Sequence, residues 1–462
     1  MSARSRESRG GAGGRGRDGD RRGGTKAGRP RPLRGQTAPR PRRDPRLRDA
    51  ESPRPVPAAG PAVIPTEGLE TPAGRVLLAR NQDRRVRGGH PWIFSNEVAA
   101  VEGEPQDGAL VEVADHRGAF LGVACYNRHS LIRARMLTRG RDVVDTAFFA
   151  HRIERALRLR ESAYPGEAAL RLVYGEADLL PGLVIDRYGD VLAVQITTLG
   201  MEVRADSIRA AIEHVLKPAG VVRAGDSPLR SLEGLLRERV VWWGDVPERL
   251  EVGVEGFRVE VDLLHGQKTG LFLDQRENRR RAEARARGRR ALDLYCYQGE
   301  WALHLARGGA GEVIAVDSSA PALEAAERNA ARNGMEGRIT FRQGDAFDVA
   351  RELERTGERF GLIVLDPPAL VKSRKHLAAG ARAYRDLNRA AMAMLAEDGV
   401  LVTCSCSHHL DDALFRQVLL ESARAARRPM RILDWAGAAA DHPQLLAVPE
   451  THYLKCAVLQ AL

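Results

Sequence analysis

The stretch LVTCSCSHHL, Leu401–Leu410, places two of the chain's five cysteines two residues apart and follows them with two histidines. Four chemistries compete for it. Cys404, Cys406, His408 and His409 offer sulfur and nitrogen ligands. Structural zinc sites, however, favour CxxC-like spacing with a second ligand pair elsewhere, and the sequence has no evident second pair. A CxC pair is also not the CxxC motif of thiol exchange. Ordinary core packing suits Cys404, because Val402, Cys404 and Cys406 share one face at the two-residue period of a strand. It suits Cys296 equally. The fourth chemistry is a nucleophilic thiolate, and that depends on the surrounding residues.

Those residues are a series of acids. Asp293 lies in ALDLYCYQGE, Asp317 in GEVIAVD 24 residues later, Asp345 in RQGDAF, and Asp366 opens DPPA. An acid at the end of a second strand suits ribose hydroxyls. Asp345 could accept from an adenine amino group. Each acid alone is also a common helix cap, but three in register at successive strand ends point to one ligand. The first crossover has no GxGxxG; Gly299 stands alone and Glu300 follows it. A pyrophosphate needs a bare helix start, and an acid there opposes it. A cofactor with ribose and adenine but no phosphate fits better, which points to S-adenosylmethionine. In DPPA, Asp366 to Ala369, two prolines hold the loop rigid, so Asp366 could accept from the exocyclic amine of a planar base. Lys372, Arg374 and Lys375 follow and could hold flanking phosphates.

The elements that must position these residues are legible. From Arg290 the strands ALDLYCY, GEVIAVD, RITFRQGD, FGLIVLDPP and GVLVTCSCS alternate with helical stretches near 300–308, 320–333, 346–356, 380–396 and 410–426. Apolar strands alternating with amphipathic helices predict right-handed crossovers and a parallel sheet covered on both faces. MRILDWA and YLKCAVLQAL predict a closing hairpin. Such a sheet binds ligand at the carboxyl ends of its strands. The expected architecture is therefore α/β, a Rossmann-like class I methyltransferase domain over residues 263–462. A β-rich module over 74–144 precedes it, with Arg84, Arg85, Arg87 and His90 beside Trp92 and Phe94. Those groups could hold RNA by charge and stacking, or the two aromatics could fill the module's core, at least one of them being expected there. Residues 145–262 read as a central α+β domain.

Composition narrows the setting. The chain has 462 residues, 43% of them apolar, and a net charge of +11. Residues 1–50 hold sixteen basic residues against five acids, so the remainder balances to zero. The tail, residues 1–73, has almost no large apolar residues and is expected to be disordered. It suits salt-sensitive contact with nucleic-acid phosphates, or is a solvated extension. No run of about eighteen apolar residues suggests a membrane span, and no apolar h-region marks a secretory signal. Five scattered cysteines fit a reducing, cytoplasmic setting better than a disulfide framework.

With a sulfonium methyl donor, the thiolate reading gains a purpose. C5 of cytosine is not nucleophilic within the aromatic ring. A thiolate added at C6 makes C5 enamine-like and able to attack a methyl group; a base then removes the C5 proton and the thiol leaves. Such a cysteine belongs where the next helix N-terminus can lower its pKa, and Cys406 is nearer that place than Cys404. One rival is methylation of a purine amino group, which needs no cysteine. Another is a non-catalytic RNA-binding assembly factor, against which the strand-end acids argue. A two-cysteine C5 chemistry would need a second cysteine at the DPP loop, and none is there.

GQKTGLFLDQRENR (Gly266–Arg279), LDLYCYQGEWALHLA, VIAVDSS, VLDPPALVKSRK, SCSHHL and DHPQLLAVPETHYLK resemble, in order, the bacterial large-subunit ribosomal RNA methyltransferase I family. RRVRGGHPWIFSNEV is similar to its PUA domain and RLVYGEADLLPGLVIDRYGD to its central domain. The resemblance covers about Arg75 to Leu462. It implies an S-adenosylmethionine-dependent enzyme that forms 5-methylcytosine in 23S ribosomal RNA, with Cys406 as nucleophile and Asp366 at the target base. It also brings Gln267, Thr269 and Gly270 to the cofactor's methionine end. With Asp293, Tyr295, Gly299, Asp317, Ser318, Asp345 and Ala346 they form the expected cofactor site. Expected partners are large-subunit ribosomal RNA and, as an open expectation, a second copy in a homodimer; neither metal nor membrane is expected. Glu300 stands where relatives have a second glycine, and Cys404 where they have another residue.

Overall fold

The computed structural model describes residues 71–266 and 269–462; the expected disordered tail and Gln267 lie outside the described residues. Among the described residues no helix is long and apolar enough to cross a membrane.

The N-terminal module is a six-stranded sheet in the order Trp92–Phe94, Ile132–Thr138, Phe120–Tyr126, Leu110–Ala114, Arg75–Leu78, Val98–Glu102. A one-turn helix, Arg84–Arg87, interrupts the expected all-β run. Its core takes Val76, Leu78, Ile93, Val111, Val113 and Met136. The expectation that Trp92 or Phe94 fills this core is corrected. In so short a strand the period of two buries Ile93 and turns both aromatics to the other face. There Trp92 Nε1 donates to Glu176 of the central domain (2.8 Å).

In the central domain, Asp145 caps helix Thr146–Ala163 by accepting from the Phe148 N–H (2.9 Å). That helix and Ala205–Leu216 pack together beside a five-stranded sheet of order Glu238–Gly244, Gly220–Gly225, Val191–Ile196, Leu183–Tyr188, Ala169–Tyr174. A hairpin, Leu250–Val254 and Phe257–Val261, follows and packs on helix Ala320–Arg332, where Glu260 meets Arg328 (2.8 Å) and Arg332 (2.6 Å).

The C-terminal sheet has seven strands in the order Ile339–Gln343, Glu312–Asp317, Arg290–Leu294, Phe360–Leu365, Leu395–Ser405, Lys455–Ala461, Met430–Ala436. The first five are parallel and the last two antiparallel. The closing hairpin is as expected, with its second strand inserted against the cysteine-bearing strand. Apolar clusters cover both faces. The chain steps outward from Arg290–Leu294 on one side, then returns to Phe360–Leu365 on the other. The strand order thus reverses beside Asp293 and Asp366, where a doubly wound sheet opens its crevice.

A buried ionic cluster fastens the hairpin to this domain. Glu255 meets Arg279 (3.3 Å), Arg280 (2.9 Å) and His304 (3.3 Å), and Glu283 meets His304 (2.6 Å) and Arg307 (2.8 Å). Burial alone would raise both carboxyls, but His304 with Arg279 for Glu255, and His304 with Arg307 for Glu283, hold each at about 2. Both therefore sit below their unfolded value of 4.5. Their stabilisation is complete above pH 4.5 and is lost as pH falls toward about 2. Denaturant titrations should show a steeper acid loss of stability in wild type than in Glu255→Gln, with a difference on the order of 2 kcal/mol across that window. Equal slopes would contradict this linkage.

Candidate active site

The two neighbouring cysteines part company in the fold. Cys404 is fully buried, faces Cys456 across the antiparallel ladder, and points its Sγ at Gln275 Oε1 (3.9 Å). Burial, then Cys456 and the charge of Asp366, pushes its thiol well above the ordinary value. Cys125, Cys296 and Cys456 are buried too, which leaves Cys406 as the one cysteine of five that is not. The strand ends at Ser405, so Cys406 stands one residue beyond it, with Sγ 4.0 Å from the Pro367 carbonyl of the DPP loop. It lines a crevice of about 780 Å³ together with His408, Thr269 and Tyr453. Arg171, Tyr174 and Arg237 line it too. Among the described residues no group of three or more His, Cys, Asp and Glu side chains is arranged to hold a metal ion.

One expectation about Cys406 is corrected. The next helix starts at Asp412, and its first turn is already met by Asp411, whose carboxylate accepts from the Leu414 N–H (2.8 Å). A negative cap at that N-terminus offsets the partial positive charge that was expected to serve the thiolate.

Asp366 ends its strand as expected, and its setting is more elaborate than DPPA alone suggests. Its Oδ2 accepts from Gln275 Nε2 (3.0 Å) and from Trp301 Nε1 (3.1 Å). Gln275 is held in turn by Asn278 Nδ2 (2.7 Å). Neither clamp residue stood out in the sequence. Gln275 lay in a polar helix start. Pro367 is buried, Pro368 is exposed, and Lys372, Arg374 and Lys375 are exposed just beyond.

The remaining acids converge on the first crossover. Tyr295, Tyr297 and Gly299 have φ of 69°, 49° and 83°. The loop thus takes the left-handed turns of a glycine-rich loop with tyrosines at two of the three positions, each at a cost of about 1–2 kcal/mol. Its backbone is held by Tyr295 N and Cys296 N to the Val316 carbonyl (3.0 Å each) and by Tyr297 N to Asp317 Oδ2 (2.9 Å). Asp317 Oδ1 also accepts from Ser319 N (2.9 Å), beside the exposed Ser318. Asp345 caps the helix that begins at the buried Ala346, accepting from Phe347 N (2.8 Å) and Asp348 N (3.1 Å). A Cβ at Gly299 would lie 3.0 Å from Ala326 Cβ, so that position has no room for a side chain.

Asp293 carries the clearest sign of a missing partner. It is completely buried, and among the described residues neither of its carboxylate oxygens finds a hydrogen-bond partner. Burial, then the charges of Asp366 and Asp317, raises its carboxyl well above the ordinary range. Three acids gathered this closely are costly, and a cationic ligand would relieve them. S-adenosylmethionine carries a sulfonium charge of the sign such an acidic surrounding favours.

Of the GQKTG motif, Thr269 and Gly270 pack against the central domain. Thr269 donates its hydroxyl to Asp186, which Arg171 grips with two bonds of 2.8 Å. Gly270 has φ 134°, and a Cβ there would lie 2.8 Å from Val261 Cγ1 and 3.0 Å from Tyr188 Oη. Glu300 is ion-paired with Arg279 (3.0 Å), so its charge is already met by protein. It weighs less against phosphate than its sequence position suggested. The N-terminal module reaches the same crevice, because His90 meets the lining residue Glu450 (3.3 Å).

Residues 76–139 match the family of PUA-like domains, and residues 235–449 the S-adenosylmethionine-dependent methyltransferases. The chain is 37% identical over 400 residues to a ribosomal RNA large subunit methyltransferase I from Tolumonas auensis, covering 84% of this chain and 99% of that one. It is 36% identical over 398 residues to the protein of that name from Vibrio cholerae, covering 84% and 100%. In fold it is similar to a methyltransferase from Streptococcus mutans (TM-score 0.73, 19% identity, 84% of this chain and 99% of that chain). It is also similar to a methyltransferase solved with S-adenosylhomocysteine (TM-score 0.74, 19% identity, the same coverage). The chain belongs to the ribosomal RNA large subunit methyltransferase I family, with a PUA-like module joined to an S-adenosylmethionine-dependent methyltransferase domain.

Proposed function

We propose that this protein methylates C5 of a cytosine in large-subunit ribosomal RNA, in the cytoplasm, through a covalent bond between Cys406 and C6. The observation that carries this reading is the position of Cys406. It is the one cysteine that is not buried, it lines the crevice, and its Sγ lies 4.0 Å from the Pro367 carbonyl next to Asp366.

The residues divide the work as follows. The bound cofactor supplies a methyl group on a sulfonium. Asp366, pinned by Gln275 and Trp301, accepts from the exocyclic amine of the target base and sets the ring's orientation. The Cys406 thiolate adds to C6, forming the S–C6 bond and moving the C5–C6 π electrons into an enamine. C5 would then bond to the methyl carbon as the carbon–sulfur bond of the donor breaks and a neutral thioether leaves. Removal of the C5 proton re-forms the double bond and expels the thiolate, which restores the enzyme. His408 lines the same crevice, and desolvation, with His409 adding to it, holds its imidazole below the ordinary value. It is the neutral base available there at pH 7. Arg237, Lys372, Arg374 and Lys375 supply phosphate contacts around the base, and the PUA-like module adds Arg84, Arg85 and Arg87, all exposed.

Incubating the protein with labelled S-adenosylmethionine and unmodified large-subunit RNA, then digesting to nucleosides, should place the label on 5-methylcytidine. Label on an N-methylated purine would replace this reading with amino-group chemistry.

A further inference from the structure

Lys455 opens the strand inserted beside the cysteine-bearing strand, paired in register with Ser405. Its side chain is buried, and its Nζ donates to the carbonyls of Ser407 (2.8 Å) and Tyr453 (2.7 Å). Among the described residues, no carboxylate comes within ion-pair distance of it. The nearby acids are engaged elsewhere. Asp412 is held by His452 (2.8 Å) and Trp435 Nε1 (2.7 Å), and Asp411 caps the helix. A buried ammonium bound only to neutral carbonyls is expensive, and a neutral donor would tie the same two carbonyls at less cost. The charge therefore needs a use. The Ser407 carbonyl that Lys455 grips belongs to the residue after Cys406.

We propose that Lys455 is a positioning residue whose buried ammonium, anchored on Ser407 and Tyr453, stabilises the Cys406 thiolate from behind the crevice. This rests on the reading of Cys406 as nucleophile. The electrostatics agree. Burial lowers Lys455 to about 8, Asp412, Cys406 and Asp411 are the groups that raise it, and Lys455 in turn disfavours a charged His408. Tyr384 bonds Ser407 Oγ (3.0 Å) and is neutral at physiological pH, its phenol raised by burial to about 12. Lys455 is thus the buried cation that can favour thiolate over thiol at this position, as cationic neighbours do for reactive cysteines.

The test titrates Cys406 in the full chain without RNA, as the pH dependence of iodoacetamide alkylation followed by peptide mapping. Wild type, Lys455→Met and Lys455→Arg are compared, with melting curves for each. Lys455→Met should shift the reactivity midpoint up by about one pH unit and lower the pH 7 rate about tenfold, while Lys455→Arg keeps most of it. A folded Lys455→Met with a wild-type midpoint overturns the proposal. If Lys455→Met does not fold, the reciprocal measurement decides. In Cys406→Ser, NMR of the Lys455 Cε should show the ammonium titrating at lower pH than in wild type; an unchanged titration overturns the proposal. A shifted midpoint together with a product other than 5-methylcytidine would sink the proposed reaction and leave this coupling standing.

Discussion

Cys406→Ala is expected to lower methyl transfer to RNA at least about 10⁴-fold, because no other group at the crevice can make the C6 bond that activates C5. Stability should be nearly unchanged, since the thiol is partly exposed and its contact with the Pro367 carbonyl is long and weak. Binding of S-adenosylhomocysteine should also persist, because the acids proposed to hold the cofactor lie at the ends of other strands. Cys404→Ala should behave in the opposite way. It removes a thiol from a closed site between Cys456 and Gln275, and so costs about 1 kcal/mol of stability while leaving activity largely intact. Single-turnover assays with chemical denaturation of both variants separate the two roles. Equal losses of activity in both would show that proximity in sequence, not exposure at the crevice, was being measured.

Asp366→Asn is expected to reduce turnover by about 10²- to 10³-fold, nearly as much as Asp366→Ala. The reason lies in the clamp. One Asp366 oxygen already accepts two N–H groups, from Gln275 and Trp301. In the Asp366→Asn variant the amide oxygen must take that place, because an NH₂ group there would face two donors. The amide nitrogen is then left toward the base, where it meets the donor amine of cytosine instead of accepting from it. Cofactor affinity should change little. Retained turnover in Asp366→Asn would mean that the carboxylate's role is structural and that the base is oriented by other groups.

Much of this site could be read from residue types because it lies at strand ends, where local pattern and topology coincide. Asp317, Asp366 and Cys406 follow short apolar runs, and a parallel sheet delivers the ends of its strands to one edge. What could not be read depends on partners far apart in the chain. Gln275 clamps Asp366 from 91 residues away, and Trp301 from 65. Thr269 is bound by Asp186, and Lys455 reaches Ser407 only because the last strand inserts next to the cysteine-bearing one. The left-handed turns at Tyr295 and Tyr297 were hidden for another reason. Glycine advertises that conformation, whereas tyrosine adopts it only when backbone bonds such as Tyr297 N to Asp317 compel it. Trp92 misled because a large aromatic suggests core; its indole N–H instead finds Glu176 in the neighbouring domain.

The covalent bond between Cys406 and C6 is the central claim, and it can be trapped. In RNA whose target cytosine carries fluorine at C5, methyl transfer leaves no proton to remove, so the thiol cannot be expelled. With S-adenosylmethionine present, the account predicts a denaturant-stable RNA–protein adduct that maps to Cys406, persists in Cys404→Ala and is absent in Cys406→Ala. Methylated fluorinated RNA released without any adduct, or an adduct mapping to Cys404, would contradict it.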